Sequence, residues 1–352
     1  MQENKKVMLG MSGGVDSSVA AIMLKEQGFE VIGVTLELCQ NSSCCNTETY
    51  IEAKKVCRAL GFEHFILQAT GEFNQFVIDD FVSEYKNCRT PNPCIECNKY
   101  LKFGLMWEKA KEIGCNYIST GHYAKTEYSE KYGRYVLKKS DNLKKDQTYV
   151  LYTIPKDLIE HMVFPLGIFS DKEEVRKVAR DNNFSVASRP DSEDICFIPD
   201  NDYKGYLEKN AGFIPKEGNI VNKQGEVLGK HEGLYKYTIG QRKGLGISYK
   251  EPLFVTGYNI AKNELIVGVE SELYSREFEV KDINLLLFDE IKDELECEVK
   301  IRYAAKPAPC TIKQIEGNKI KVVMKEPIKS VTPGQSAVFY IDDIVVGGGK
   351  IS

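Results

Sequence analysis

Val7-Met8-Leu9-Gly10-Met11-Ser12-Gly13-Gly14-Val15-Asp16-Ser17-Ser18-Val19-Ala20-Ala21-Ile22-Met23-Leu24 is the stretch on which the fold turns. Its apolar start predicts a buried strand over 7–11, its glycine pair a turn, and its second apolar run a helix. Glycines let a backbone approach a ligand closely, and the amides that open a helix have no carbonyl ahead of them to bond. The turn therefore suits an anion, with Ser12 and Ser17 adding hydroxyl donors. No Gly-Lys-Ser/Thr follows, so this is not a Walker-type loop, and the G-x-G-x-x-G spacing of dinucleotide folds is missing. The plain alternative is a glycine turn with a serine cap.

Outward from this stretch, Val31 to Leu36 reads as a buried parallel strand, 47–60 as a helix and His64 to Leu67 as a third strand. Phe103 to Ile113 reads as a helix feeding a strand over Asn116 to Ser119, which runs into Thr120-Gly121-His122-Tyr123-Ala124. This alternation predicts βαβ units and a parallel sheet, with Gly121 at a strand end where open α/β sheets bind ligands. His122 is either a pocket residue or a satisfied structural histidine. Beyond about Asp200 short β-rich runs appear between Gly and Pro turns. From about 276 the runs 297–302, 310–312, 320–324 and 336–341 are spaced as in a small barrel. The expected fold is thus α/β: a nucleotide-binding and catalytic domain over 1–204, a β-rich central domain over 205–275 and a C-terminal β-barrel over 276–352.

A chain of 352 residues exceeds one usual domain, and 42% hydrophobic residues suffice for folded cores. The five apolar residues near the start are too short for a secretory core, and no run approaches a membrane span, so a cytoplasmic protein is expected. A net charge of −4 argues against coating nucleic acid by bulk electrostatics. Locally, Arg134 to Gln147 carries five basic residues (Arg134, Lys138, Lys139, Lys144, Lys145) against Asp141 and Asp146, a balance of 5 − 2 = +3. That is a candidate phosphate-contacting strip or a solvated face. Residues 276–300 carry four basic and nine acidic residues, −5, and should avoid an RNA backbone.

Eleven cysteines in such a chain point to buried thiols, metal ligands or redox chemistry rather than a disulfide framework. Cys94 and Cys97 form a C-x-x-C beside basic residues and after two prolines. Cys196 lies 196 − 97 = 99 positions on, among loop-forming residues. Cys57, Cys115, Cys297 and Cys310, and also Cys39, Cys44, Cys45 and Cys88, read as small buried hydrophobes. Without a second C-x-x-C, structural zinc is not expected.

Ser-Gly-Gly-x-Asp-Ser after a first strand resembles the pyrophosphate loop of the ATP pyrophosphatases, which split ATP to AMP and pyrophosphate to activate an oxygen. With Thr90-Pro-Asn-Pro93, Cys97-Asn-Lys99, Thr120-Gly-His-Tyr-Ala124, Lys145-Asp-Gln-Thr-Tyr149, Ile195-Cys-Phe-Ile198, Thr238-Ile-Gly-Gln-Arg242 and Thr332 to Tyr340, the chain resembles the bacterial tRNA-specific 2-thiouridylases along nearly its whole length. The resemblance implies ATP and Mg²⁺ as cofactors. It implies thiolation at C2 of the wobble uridine of tRNA, and sulfur delivered by a cysteine desulfurase or sulfur-relay protein, with no membrane or DNA partner. By motif, Gly10, Met11, Ser12, Gly13, Gly14, Val15, Asp16 and Ser17, with Leu36 and Gly121, would bind ATP, Asp16 through bridging Mg²⁺. Asn92, Pro93 and Cys94 would meet the target base, and Lys145, Asp146, Gln147, Arg302 and Tyr303 would contact tRNA. Cys97 matches the nucleophile and Cys196 the persulfide carrier, whereas Cys94 stands where many relatives have Asp. Two sulfur chemistries stay open: a persulfide on Cys196 resolved by Cys97, which is preferred, or a [4Fe-4S] cluster held by Cys94, Cys97 and Cys196. Rival readings are a pyrophosphatase that adenylates a small molecule, leaving both cysteines idle, and a non-catalytic RNA-binding module, which has no use for the loop.

Overall fold

The computed structural model describes residues 5–38, 47–188, 195–198, 201–316 and 318–352. Cys39, Cys44, Cys45 and residues 189–194 lie outside the described residues. The chain forms two compact units: Met1–Val77, Pro93–Asn201 and Asp342–Val346 make the first, and Ile78–Asn92, Asp202–Ile341 and Gly347–Ser352 the second. Among the described residues no helix is long and apolar enough to cross a membrane.

The first unit contains strands β1 (Lys6–Gly10), β2 (Glu30–Glu37), β3 (Glu63–Gln68), β4 (Tyr117–Ser119), β5 (Lys125–Ser129), β6 (Arg134–Lys138) and β7 (Met162–Val163), with helices between β1, β2, β3 and β4 and again between β6 and β7. Five of them form a parallel sheet in the order β3-β2-β1-β4-β7, with Val7 opposite Val31 on one side and Tyr117 on the other. The order reverses direction between β1 and β4, and a crevice opens at their carboxyl ends. Burial on both faces explains why β1 and β2 read as continuous apolar runs.

Helix α1 (Val15–Glu26) follows β1 and is buried nearly all round through Val15, Val19, Ala20, Ala21, Ile22 and Leu24. Its core extends to Ala53, Val56 and Cys57 of helix α2 (Thr47–Leu60) and to Val175 and Ala179 of the helix Lys172–Asp181. That last helix is capped by Asp171, whose side chain accepts from the Glu173 amide at 2.8 Å. It packs one apolar stripe on the core and thereby fixes the direction of Lys172. The helical run from Pro93 to Glu112 widens to π-helical turns over Cys97–Leu105, a departure common at functional sites. Strands β5 and β6 form an antiparallel hairpin the sequence reading missed.

The second unit contains β8 (Gly218–Val221), β9 (Val227–His231), β10 (Phe254–Asn259) and β11 (Glu264–Gly268), paired in the order β10-β11-β8-β9. It also contains β12 (Tyr274–Leu285), β13 (Leu295–Lys300), β14 (Ala308–Ile315), β15 (Lys319–Lys329) and β16 (Ser336–Ile341), together with the later part of β17 (Ile344–Ile351). These six pair in the order β12-β15-β14-β13-β16-β17, and β17 pairs back on β12, closing the barrel. Closure removes the exposed edges an open sheet would carry. The acid-rich 276–300 stretch is partly balanced across the sheet, where Lys321 meets Glu277 at 2.8 Å and Lys325 meets Glu296 at 3.4 Å. In the same unit the Thr90 amide bonds Pro333 O at 3.0 Å and Gln335 Nε2 donates to Thr90 O at 2.8 Å. The two Pro-containing motifs quoted above thus hold each other.

Candidate functional site

The loop after β1 keeps its shape through its own hydroxyls. The Ser12 amide donates to Ser17 Oγ at 3.3 Å, and Ser18 Oγ donates to Gly14 O at 2.9 Å. Gly13 has φ +67° and lies so close to α2 that a Cβ there would sit 2.4 Å from Thr49 O; only glycine meets both demands. Gly14 caps α1 without a side chain, leaving the first-turn amides aimed out of the helix. On the neighbouring strand end, a Cβ on Gly121 would lie 2.9 Å from both Asp16 C and Ser17 N. The two loops at the switch point are in backbone contact.

A cavity of about 340 Å³ opens beside them. It is lined by Gly10, Met11, Ser12, Asp16 and Ser17 from the loop, Leu36 from β2, and Gly121 and His122 after β4. From the helical run come Pro93, Cys94, Cys97 and Lys102, and from the described part of the later loop Cys196. Gly13, Gly14 and Val15 complete the loop behind this lining. The C-x-x-C pair and the sequence-distant Cys196 thus share one cavity with the anion loop: Cys97 is buried, Cys94 exposed and Cys196 half-buried. All eight described cysteines are thiols rather than disulfides. Among the described residues no three His, Cys, Asp or Glu side chains converge to hold a metal ion.

Four thiols outside this cavity are held protonated. Burial pushes Cys57 up to about 12 and Cys88 to about 11, and it raises Cys115. Cys297 and Cys310 face each other across β13 and β14 with sulfurs 3.6 Å apart, and this contact, with burial, pushes Cys297 far up. Thiols so shifted are poor nucleophiles.

Asp16 is the acidic group of the cavity, and its environment was not legible in the sequence. Lys172 Nζ lies 2.6 and 2.7 Å from its two carboxylate oxygens, and Tyr123 Oη donates to Oδ1 at 2.8 Å. The same ammonium sits 5.4 Å from the Tyr123 ring centroid. Lys172 lies among the alternating charges of Asp171-Lys-Glu-Glu-Val-Arg176, where no local pattern singles it out. Lys102 adds a positive charge to the cavity wall. His122 is buried at the cavity wall near Phe103 and Phe164 and shares a 2.7 Å hydrogen bond with Thr120 Oγ1; burial drives its pKa well below the usual value, so the ring is neutral.

The residues expected to contact tRNA are dispersed. Gln147 reaches the cavity and accepts from the Tyr123 amide at 2.8 Å. Asp146 is buried, accepting from the Ser140 amide at 3.0 Å and from Thr148 Oγ1 at 2.6 Å, and Lys145 follows in the same turn through its amide bond to Asn142 O. Within the basic strip, Lys138 pairs with Glu127 at 2.7 Å and Asp343 at 3.1 Å, and Lys139 Nζ donates to Asp342 O at 2.9 Å, so part of its charge is spent inside the protein. Asn92 belongs to the second unit, as do Arg302 and Tyr303. Arg302 Nη2 donates to Ile239 O, Ser330 O and Thr332 Oγ1 at 3.1, 3.2 and 2.6 Å, the pattern of a brace between segments. Tyr303 is exposed, with Lys300 Nζ 5.4 Å from its ring centroid.

An anion loop and a cavity at the switch point of a parallel sheet define a nucleotide-binding α/β protein. Residues 5–200 match the family described as the tRNA methyl transferase HUP domain, 204–269 its PRC-barrel domain and 275–351 the aminomethyltransferase beta-barrel domain. The curated tRNA-specific 2-thiouridylase MnmA of Clostridioides difficile is 46% identical over 355 residues, covering 99% of this chain and 98% of its own. MnmA 2 of Caldanaerobacter subterraneus is 45% identical over 360 residues, covering 100% and 99%. The chain belongs to the tRNA-specific 2-thiouridylase family. A solved 4-thiouridine synthetase–RNA complex with bound ATP is similar at 19% identity and a TM-score of 0.37, over 53% of this chain and 43% of that one.

Proposed function

We propose that this chain is a tRNA uridine 2-sulfurtransferase that adenylates the C2 oxygen of the wobble uridine with ATP and replaces it with sulfur. The observation that carries the reading is the presence of Cys94, Cys97 and Cys196 in one cavity with the loop Gly10 to Ser17. A small-molecule adenylating enzyme has no need of three thiols there, nor has the methyl transfer in the descriptions of the domain families.

In this reading the loop amides and Lys102 take the polyphosphate, and Gly121 and Leu36 border the nucleotide. Asp16, already holding an ammonium, suits Mg²⁺ as one carboxylate ligand completed by phosphate and water; the ion would neutralise charge on the departing pyrophosphate. The uridine oxygen attacks the α-phosphorus and pyrophosphate leaves. The terminal sulfur of a Cys196 persulfide attacks C2, and the Cys97 thiolate attacks the inner sulfur. A Cys97–Cys196 disulfide forms, AMP departs, and the transferred sulfur takes the two electrons the thiols give up. An external thiol then reduces the disulfide. Pro93 and Cys94 line the base side, with Asn92 beside them in sequence. Neutral His122 offers a ring nitrogen without charge.

Of the two sulfur chemistries, the persulfide on Cys196 resolved by Cys97 is preferred, because two thiols in the cavity of the anion loop suffice for it. The sulfur is supplied by a cysteine desulfurase or relay protein, and the reaction belongs to the cytoplasm, where tRNA is found. The test is pyrophosphate release that depends on tRNA, coupled to 2-thiouridine formation when a persulfide donor is added. Release without tRNA, or none with it, removes the reading.

A further inference from the structure

The Thr238-Ile-Gly-Gln-Arg242 motif has no part in the cavity of the first unit. It opens a loop, 238–253, that encloses a second cavity of about 470 Å³ in the second unit. The loop is firmly held. Gln241 Oε1 accepts from the Thr238 amide at 3.1 Å, its Nε2 donates to Lys243 O at 2.9 Å, and Gly240 and Gln241 exchange backbone bonds with Val255 at 2.8 and 2.9 Å. Leu245, Leu253 and Ile247 anchor it to the central core. Gly244 and Gly246 have φ +77° and +66°, the left-handed conformation from which anion-cradling turns are built.

Arg242 and Lys250 line this cavity together with one acid, Glu251, and Lys243 follows Arg242 in the same loop; all three cations are exposed. Among the described residues none of the three cations has an ion-pair partner within 4.0 Å. By contrast Lys313, Lys319, Lys321, Lys325 and Lys329 of the barrel each meet a glutamate. Arg242 is felt by Glu270 only at longer range, and Glu270 is itself ion-paired to Lys329. In an acidic chain that pairs its barrel lysines, a held loop with three exposed cations outside any ion pair beside a polar hollow calls for a negative partner.

We propose that the 238–253 loop is a second RNA-binding site, taking backbone phosphates of the tRNA through Arg242, Lys243, Lys250 and the amides near Gly244 and Gly246. It rests on tRNA being the substrate. Free phosphate or pyrophosphate shares the chemistry, but the cations spread over nine positions suit a string of phosphates better than one ion.

The test is a triple variant, Arg242→Gln, Lys243→Gln and Lys250→Gln, titrated with tRNA over a range of salt. Loss of two phosphate contacts, at ~0.7 in log–log slope each, flattens the slope by about 1.4 and weakens binding about 25-fold at ~0.1 M salt relative to ~1 M. Neutralising Lys319, Lys321 and Lys325 instead should change the slope less. An unchanged slope in a triple variant with a wild-type melting point overturns the proposal. So does wild-type calorimetric binding of inorganic phosphate that the variant loses while its tRNA affinity holds. Should the triple variant fold poorly, Lys243→Glu alone must still flatten the slope. Wild-type protein that makes no tRNA-dependent pyrophosphate would instead fault the functional reading, leaving the charge test interpretable.

Discussion

Gly121→Ala probes the contact on which the nucleotide site depends. The added methyl lies 2.9 Å from two backbone atoms, Asp16 C and Ser17 N, and 3.1 Å from Asp16 Cβ. Ordinary contact begins near 3.4 Å, so the loop or the strand end must retreat by 3.4 − 2.9 = 0.5 Å, and no side-chain rotation can supply it. The φ of Gly121 is not in the left-handed region, which makes the effect steric rather than conformational. Overpacking of this kind costs about 1–3 kcal/mol of stability. A 1 Å misplacement of reacting groups costs ~10²-fold in rate, so half that distance should lower kcat/KM for tRNA-dependent pyrophosphate release by about tenfold. Affinity for tRNA should hold. Wild-type kinetics in Gly121→Ala, or loss of tRNA binding with intact ATP use, would refute this placement of the phosphate loop.

Lys172→Met removes the ammonium from Asp16 and leaves Tyr123 as its donor. ATP-dependent pyrophosphate release should fall about 10- to 100-fold, the worth of a charge-assisted bond, while stability changes by no more than about 1 kcal/mol because Asp16 is a third exposed. Unaltered ATP kinetics would make Lys172 a bystander. His122 is neutral in the folded protein because its pKa lies well below the ordinary value, whereas the unfolded chain takes up a proton below about pH 6.5. Stability is therefore full above that pH and falls as pH drops, by up to ~1.4 kcal/mol per pH unit from this ring. His122→Gln should flatten the acid limb of urea midpoints between about pH 7 and about pH 5, and an identical slope would contradict the burial argument. Cys94→Ser should keep thiolation, since a persulfide and its resolving thiol both remain; its loss together with iron would restore the cluster scheme.

The parallel sheet was legible because strands buried on both faces are written as unbroken apolar runs, and β1, β2 and β4 sit where those runs predict. Strands that lack such a run were not. β17 is interrupted by Gly347-Gly-Gly349, and β12 alternates charged and apolar residues within an acid-rich stretch, yet these two close the barrel. The β5–β6 hairpin was hidden by the lysines that made it look like a basic strip. At the site, the glycine loop and the cysteine motifs announce themselves by residue type. Lys172 does not, because its meaning comes from a helix packing on α1 about 156 positions from Asp16. The inward turn of the Asp146 carboxylate and the bracing bonds of Arg302 are likewise products of packing, which a charge count cannot see.

The central claim is that one cavity performs both adenylation and sulfur transfer, with Cys196 serving only the second. It is tested most directly by giving Cys196→Ser radiolabelled ATP, unmodified tRNA and a persulfide donor, and by measuring AMP, pyrophosphate and 2-thiouridine from the same reaction. The account predicts tRNA-dependent adenylation with release of pyrophosphate and no 2-thiouridine, against both products in the wild type. Formation of 2-thiouridine by Cys196→Ser, or wild-type protein that makes no tRNA-dependent pyrophosphate, would contradict it.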